Sequence, residues 1–209
     1  MKYIPYLSSI LAASFMLLET ACLAPGDSSR NAGTSGKSPT NSSKTRRVKV
    51  NPGSNDVPSR GLQGAERRVI LAEHNRTRHD VKMPPLLWSD ELGAFAQEWA
   101  DQLARTSCSL QHRPRSGRWK QRHGENLFMG TAGYYTVKSA AQGWESEKKD
   151  YRGGPIVMNN HFFKIGHYTQ MIWRRTTHVG CAKSVCRGNL IVVCNYNPPG
   201  NMIGRTPFE

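Results

Sequence analysis

The chain has 209 residues, with 29 Lys and Arg against 15 Asp and Glu, for a net charge of +14. That length holds one ordinary domain with extensions, not several. The charge draws the protein to anionic surfaces, although a solubilising charge is an equally bland explanation.

Met1 to about Ala24 has one Lys, an apolar run from Ile4 to Leu18 and then small residues. This pattern predicts a secretory signal, because a membrane-spanning helix needs about 20 apolar residues. An uncleaved anchor is the alternative. Ala21-Cys22 suits a lipid-anchored cysteine, but Glu19 stands where such a site prefers an apolar residue. Removing the signal removes Cys22 and leaves four cysteines, an even number that argues for disulfides in an exported chain. An exported or periplasmic location also makes nucleic acid a poor partner.

Residues 25–60 are rich in Ser, Asn, Gly, Thr and Pro and carry seven Lys or Arg against two Asp. Such a segment buries too little surface to offset its ordering entropy, so it is expected to be a disordered basic linker. Residues 61–209 remain for a domain carrying +9.

Within it, Leu62 to about Arg78 reads as a helix with Ala65, Val69 and Ala72 on its packed side. Met83-Pro84-Pro85 ends it and extends the chain into Trp88. Ser89 is a natural N-cap, with Asp90 and Glu91 in the first turn. Leu92, Phe95, Ala96, Trp99 and Leu103 then form a broad apolar stripe that must pack. Residues 109–123 are polar, basic and loop-like. Glu125 to Met129 is a short strand, and Thr136 to Lys148 a helix with Val137, Ala140, Ala141 and Trp144 on one face. Gly153-Gly154-Pro155 breaks the next stretch. A last helix follows His161, and Val179–Val185 with Leu190–Tyr196 form a hairpin around Arg187-Gly188-Asn189. Helices before, between and after few strands predict an α+β fold, with helices on both faces of a small antiparallel sheet.

Two segments resemble one family closely. Gly166-His167-Tyr168-Thr169-Gln170-Met171-Ile172-Trp173 and the run from Ile191 to Met202 (IVVCNYNPPGNM) are similar to the two signature motifs of the CAP superfamily. That superfamily comprises cysteine-rich secretory proteins, antigen 5 and plant group-one pathogenesis-related proteins. Glu73-His74-Asn75 with Arg78, then Pro85 to Ser89, then Gly124 to Leu127 agree in the expected order. The resemblance implies a three-layer α–β–α sandwich. Ile165 stands where plant-type members carry a cysteine, so a third bridge is missing.

Four cysteines permit three pairings. Cys181 and Cys194 lie on the two arms of the predicted hairpin, and related proteins pair in the same way, which selects Cys181–Cys194 and Cys108–Cys186. No C-x-x-C spacing favours a zinc site made of cysteines. The resemblance further implies a tetrad of His112, Glu125, Glu147 and His167 at the floor of a surface cleft, with Glu145 competing for the third place. Two imidazoles, His112 and His167, suit Zn²⁺ or another divalent cation, and Glu–His pairs can serve as acid and base. A hydrogen-bonded structural cluster is the sober alternative. No catalytic residue is assigned, because neither G-x-S-x-G nor H-E-x-x-H is present and every remaining cysteine is assigned to a bridge.

His74 is expected to hold the first helix to a neighbouring loop. His79, His123, His161 and His178 carry no recognisable role. Asn75-Arg76-Thr77 and Asn41-Ser42-Ser43 are glycosylation sequons, the first expected to be unused.

The reading is an exported, non-enzymatic protein that binds a lipid or sterol, an anionic surface or polysaccharide, or a partner protein, in defence or host interaction. No cofactor is required. The alternatives are a metal-dependent peptidase and a polyanion-binding module.

Overall fold

The computed structural model describes residues 61–159 and 161–209. The expectations for the signal, Cys22, Asn41 and the basic linker lie outside the described residues.

Helix α1 spans Gly64–Asp80, strand β1 Leu87–Trp88, helix α2 Asp90–Arg105, strand β2 Gly124–Thr131 and helix α3 Val137–Ser146. Helix α4 (Gly166–Met171) and the hairpin strands β3 (His178–Cys186) and β4 (Asn189–Asn197) complete the domain. Short 3-10 turns cover Glu147–Lys149 and Phe162–Lys164. The sheet order is β1-β3-β4-β2. The sheet is antiparallel except at one edge, where two residues of β1 run parallel to β3. The small antiparallel sheet expected from the sequence is therefore present, with one short parallel pair added at its edge.

Strand β4 is buried on both faces, and its side chains alternate between two cores as a period of two requires. Val192, Cys194 and Tyr196 join Ile70, Trp144 and Met171 on the side of α1, α3 and α4. Ile191 and Val193 join Ala96, Trp99 and Leu103 of α2 on the other. The result is the expected α–β–α sandwich. The hairpin turns at Arg187 (φ 47°) and Gly188 (φ 76°). Two consecutive positive φ values are what a two-residue type I′ turn needs.

Helix α2 starts where expected, Ser89 Oγ accepting from Leu92 N at 3.2 Å. It lies unusually close to the sheet, because a Cβ on Gly180 would sit 2.2 Å from Gly93 N and 2.4 Å from Ser89 O.

Helix α1 corrects the expected packing face. Ala65, Val69 and Ala72 are exposed, and the buried residues are Ile70, His74, Thr77 and Arg78. The apolar pattern misled because three of the four buried side chains are polar and find partners inside. His74 bonds not to a loop but to strand β4, its Nε2 lying 2.7 Å from the Tyr196 hydroxyl.

Cys181 faces Cys194 in the β3–β4 register, with S–S 2.00 Å and Cα–Cα 4.1 Å. Cys108, just past α2, joins Cys186 at the end of β3, with S–S 2.09 Å and Cα–Cα 5.9 Å.

Candidate functional site

The two signature segments interlock. Asn201 donates to Gly166 O at 2.7 Å and accepts from the Thr169 hydroxyl at 2.7 Å. Gln170 Oε1 accepts from Gly200 N at 2.9 Å, and a Cβ on Gly200 would meet Trp173 Cγ at 2.7 Å. The Gln170 amide passes Gly124 at the start of β2, where a Cβ would lie 2.2 Å from its oxygen. Glycine at 200 is therefore a requirement of close approach, a side chain at 124 would have to displace the Gln170 amide, and α4 is seated against the β2 entrance.

Helix α4 has no side-chain N-cap from Ile165. Glu147, from the turn after α3, does that work. Its Oε2 accepts from His167 N at 2.9 Å and Tyr168 N at 3.1 Å, and its Oε1 accepts from His167 Nδ1 at 2.6 Å. The carboxylate satisfies two of the helix's unpaired amides and complements the helix dipole. Trp144 stacks beside the His167 ring, centroids 6.2 Å apart.

Glu125 repeats the arrangement. Its Oε1 accepts from His112 Nδ1 at 2.8 Å and from Arg113 N at 3.0 Å. Its Oε2 lies 3.5 Å from Asn195 Nδ2 and 3.9 Å from Arg113 Nε. The Glu125 side chain is fully buried, whereas the His112 side chain is 54% exposed. Arg113 is held over the Phe95 ring at 3.7 Å, and burial pushes its pKa down against the pull of Glu125.

The structure thus places the four predicted residues as two His–Glu pairs. They flank the start of edge strand β2 from opposite faces: Glu125 points to the α2 side, and its neighbour Asn126 points to the other. Asn126 Nδ2 reaches His167 O at 3.1 Å and the Tyr196 hydroxyl at 3.0 Å, tying the pairs into one frame. Glu145, the competitor, is elsewhere. It bonds Arg76, which also holds Glu73 at 3.0 Å, so Glu145 belongs to a surface ion-pair network.

Among the described residues, no three His, Cys, Asp or Glu side chains gather as a metal-binding group. Each carboxylate is committed to an Nδ1–H and to at least one backbone amide, which leaves the two Nε2 atoms without a hydrogen-bond partner among the described residues. Fixing Nδ1 in this way selects the tautomer whose Nε2 lone pair is free for a ligand. Two imidazoles are too few ligands for a closed structural zinc centre; any cation they held would need water or a guest to complete its shell.

Several functional side chains carried no sequence signal beyond their presence in a motif. His74 Nδ1 donates to Ile70 O at 2.8 Å, and burial pushes its pKa from 6.5 to about 4, so it stays neutral. Arg78 has no carboxylate partner among the described residues. Its guanidinium donates instead to the carbonyls of Pro84, Met171, Trp173 and Thr176 at 2.6–3.2 Å, and burial lowers its pKa to about 10. Both amide atoms of Asn75 bond the Leu86 backbone, which occupies the group that the first sequon would glycosylate. His123 packs edge-on against Phe95, and its buried Nδ1 meets no hydrogen-bond partner among the described residues.

The family model described as the cysteine-rich secretory protein family, CAP, matches residues 71–196. Pathogenesis-related protein 1C of Nicotiana tabacum is 40% identical over 139 residues, spanning 66% of this chain and 78% of that protein. Venom allergen 5 of Dolichovespula arenaria is 32% identical over 186 residues, spanning 78% and 89%. Among solved structures, NaASP2 with Zn²⁺ superposes with a TM-score of 0.59 at 26% identity, covering 72% of this chain and 88% of that one. Na-ASP-1 gives 0.61 at 26%, covering 74% and 44%.

Proposed function

This chain belongs to the CAP family of cysteine-rich secretory proteins, and on that premise we propose an exported, non-enzymatic binding protein of defence or host interaction. The observation that carries the reading is the commitment of both carboxylates. Glu147 and Glu125 accept three hydrogen bonds each, so each anchors an imidazole and a backbone segment rather than waiting as a general base. All four cysteines of the described residues are in disulfides. Among the described residues, neither imidazole hydrogen-bonds a hydroxyl or thiol, the pairing by which a base activates a nucleophile.

The two Nε2 atoms are the groups that would hold a divalent cation, which would supply a positive, ligand-exchanging centre at the surface. The naming of a similar structure with Zn²⁺ supports that assignment. A lipid or sterol guest has weaker support. Two concavities formed by described residues each carry charged side chains on their walls: Gln142, Glu145, Ser146, Lys148 and Lys149 line one, and Trp173, Arg175, Met202, Arg205 and Glu209 the other. The domain's charge of +9 favours an anionic partner.

The test is a peptidase assay on the purified chain, with and without chelator, run beside calorimetric titration with Zn²⁺. The expected result is no chelator-sensitive turnover, together with saturable Zn²⁺ binding that His112→Ala and His167→Ala each weaken. Turnover that chelator and His167→Ala both abolish would replace this reading with a metal-dependent hydrolase.

A further inference from the structure

We propose that the loop from Pro114 to Arg122 is a docking surface for an extended sulfated or carboxylated polysaccharide. The inference rests on the binding role above and names the partner class and the surface.

Residues 109–123 contain no acid. Arg115, Arg118, Lys120 and Arg122 are exposed, and none of them forms an ion pair among the described residues. Glu98 and Glu125 approach the neighbouring Arg113 instead, lying 3.7 and 3.9 Å from its guanidinium. Four cations are therefore left uncompensated within eight residues, a local density that outweighs the domain's average charge.

The loop is also held in shape. Gln121 N donates to Pro114 O at 2.8 Å across its base, and Lys120 N donates to Gly117 O at 3.2 Å, with Gly117 at φ 78° in the turn. Trp119 turns inward, 5.9 Å from Trp99 and 5.7 Å from the Arg113 guanidinium, with Arg118 lying 5.1 Å over its outer part. Arg113 itself is locked over Phe95. A platform fixed before binding loses less conformational entropy when a partner arrives.

The same geometry selects against a bilayer. Interfacial binding draws on apolar side chains pushed below the headgroups. The only large apolar residue in 114–122 is Trp119, and it is half-buried against α2. A hydrophilic polyanion needs no such wedge.

The experiment is fluorescence anisotropy with fluorescein-labelled heparin, paired with elution from heparin–agarose. It uses the full chain, the quadruple variant Arg115→Ala/Arg118→Ala/Lys120→Ala/Arg122→Ala, the milder Arg118→Ala/Lys120→Ala, and a chain lacking residues 25–60. Near-UV circular dichroism checks each fold. The expected outcome is about tenfold weaker affinity and earlier elution for the quadruple variant, with a smaller loss in the double variant, all fading with salt. Loop variants that bind like the full chain, while removal of 25–60 abolishes binding, would overturn this inference and leave the non-enzymatic reading standing. Failure of the full chain to bind heparin at low salt would overturn the inference, whereas the peptidase assay judges the reading beneath it. Vesicles of phosphatidylserine and phosphatidylcholine should not co-sediment the chain at a salt concentration where heparin binds. Equal vesicle binding, lost in the same variants, would reassign the surface to lipid and overturn the polysaccharide assignment.

Discussion

His74 lies wholly inside the domain, donating from Nδ1 to a carbonyl and accepting at Nε2 from Tyr196. Its folded pKa of about 4 lies below the value of about 6.5 expected when unfolded. Between these values the unfolded chain binds the extra proton, so stability falls as pH drops through that window and levels off below it. Urea unfolding from pH 7 to 4 should lose about 3 kcal/mol to this group, and His74→Gln should flatten the slope. Arg78 poses a different problem, a buried cation balanced by four carbonyls instead of an acid. Lysine has the charge but not the planar fork, so Arg78→Lys should leave carbonyls unpaired and cost about 3 kcal/mol in denaturant melts. Both residues stood in a recognisable motif. Their partners Tyr196, Met171 and Trp173 stood in the signature motifs too, but the pairing was not legible, because they lie 93–122 residues away along the chain.

At the level of elements, the contact between α2 and β3 depends on an absent side chain. Gly180→Ala would drive a methyl into the Gly93 and Ser89 backbone, which cannot yield as a flexible side chain would. A loss of about 3 kcal/mol is expected. Gly188→Ala, which meets nothing within 4 Å and suffers only its positive φ, should cost about 1 kcal/mol. Comparing the two melting temperatures separates packing from backbone strain. The two bridges should also rank by the loop each closes. Removing Cys108–Cys186, with a separation of 78 residues, should cost about 4–5 kcal/mol, and removing Cys181–Cys194, with a separation of 13, about 3 kcal/mol. The reverse order in the paired Cys→Ser variants would point to native-state strain as the dominant effect. Element types were readable from period and punctuation: the α2 stripe, the Ser89 cap and the hairpin turn are all local. The packed face of α1 was not, because a pattern search counts apolar residues and this face buries His74, Thr77 and Arg78.

Taken whole, the domain begins where Leu62 is buried and donates its amide to Cys181 O at 2.8 Å. A chain starting at Arg60 should therefore melt about 2 kcal/mol more stably than one starting at Ala65, which loses that burial and that bond.

The amino-acid sequence alone determined the layered α+β architecture and the hairpin, through periodicity and turn chemistry, which are properties of neighbouring residues. Its motifs carried the family resemblance, and that resemblance supplied His112, Glu125 and His167, with Glu145 and Glu147 competing for the remaining place. Only the tertiary structure decided that Glu147 rather than Glu145 meets His167, and that the two His–Glu pairs flank β2 from opposite faces. It also decided that both carboxylates are spent on backbone amides. Glu145 and Glu147 sit two residues apart with the same chemistry; which of them reaches the imidazole depends on where α3 ends and how α4 docks beneath it. That geometry exists only once the chain has folded.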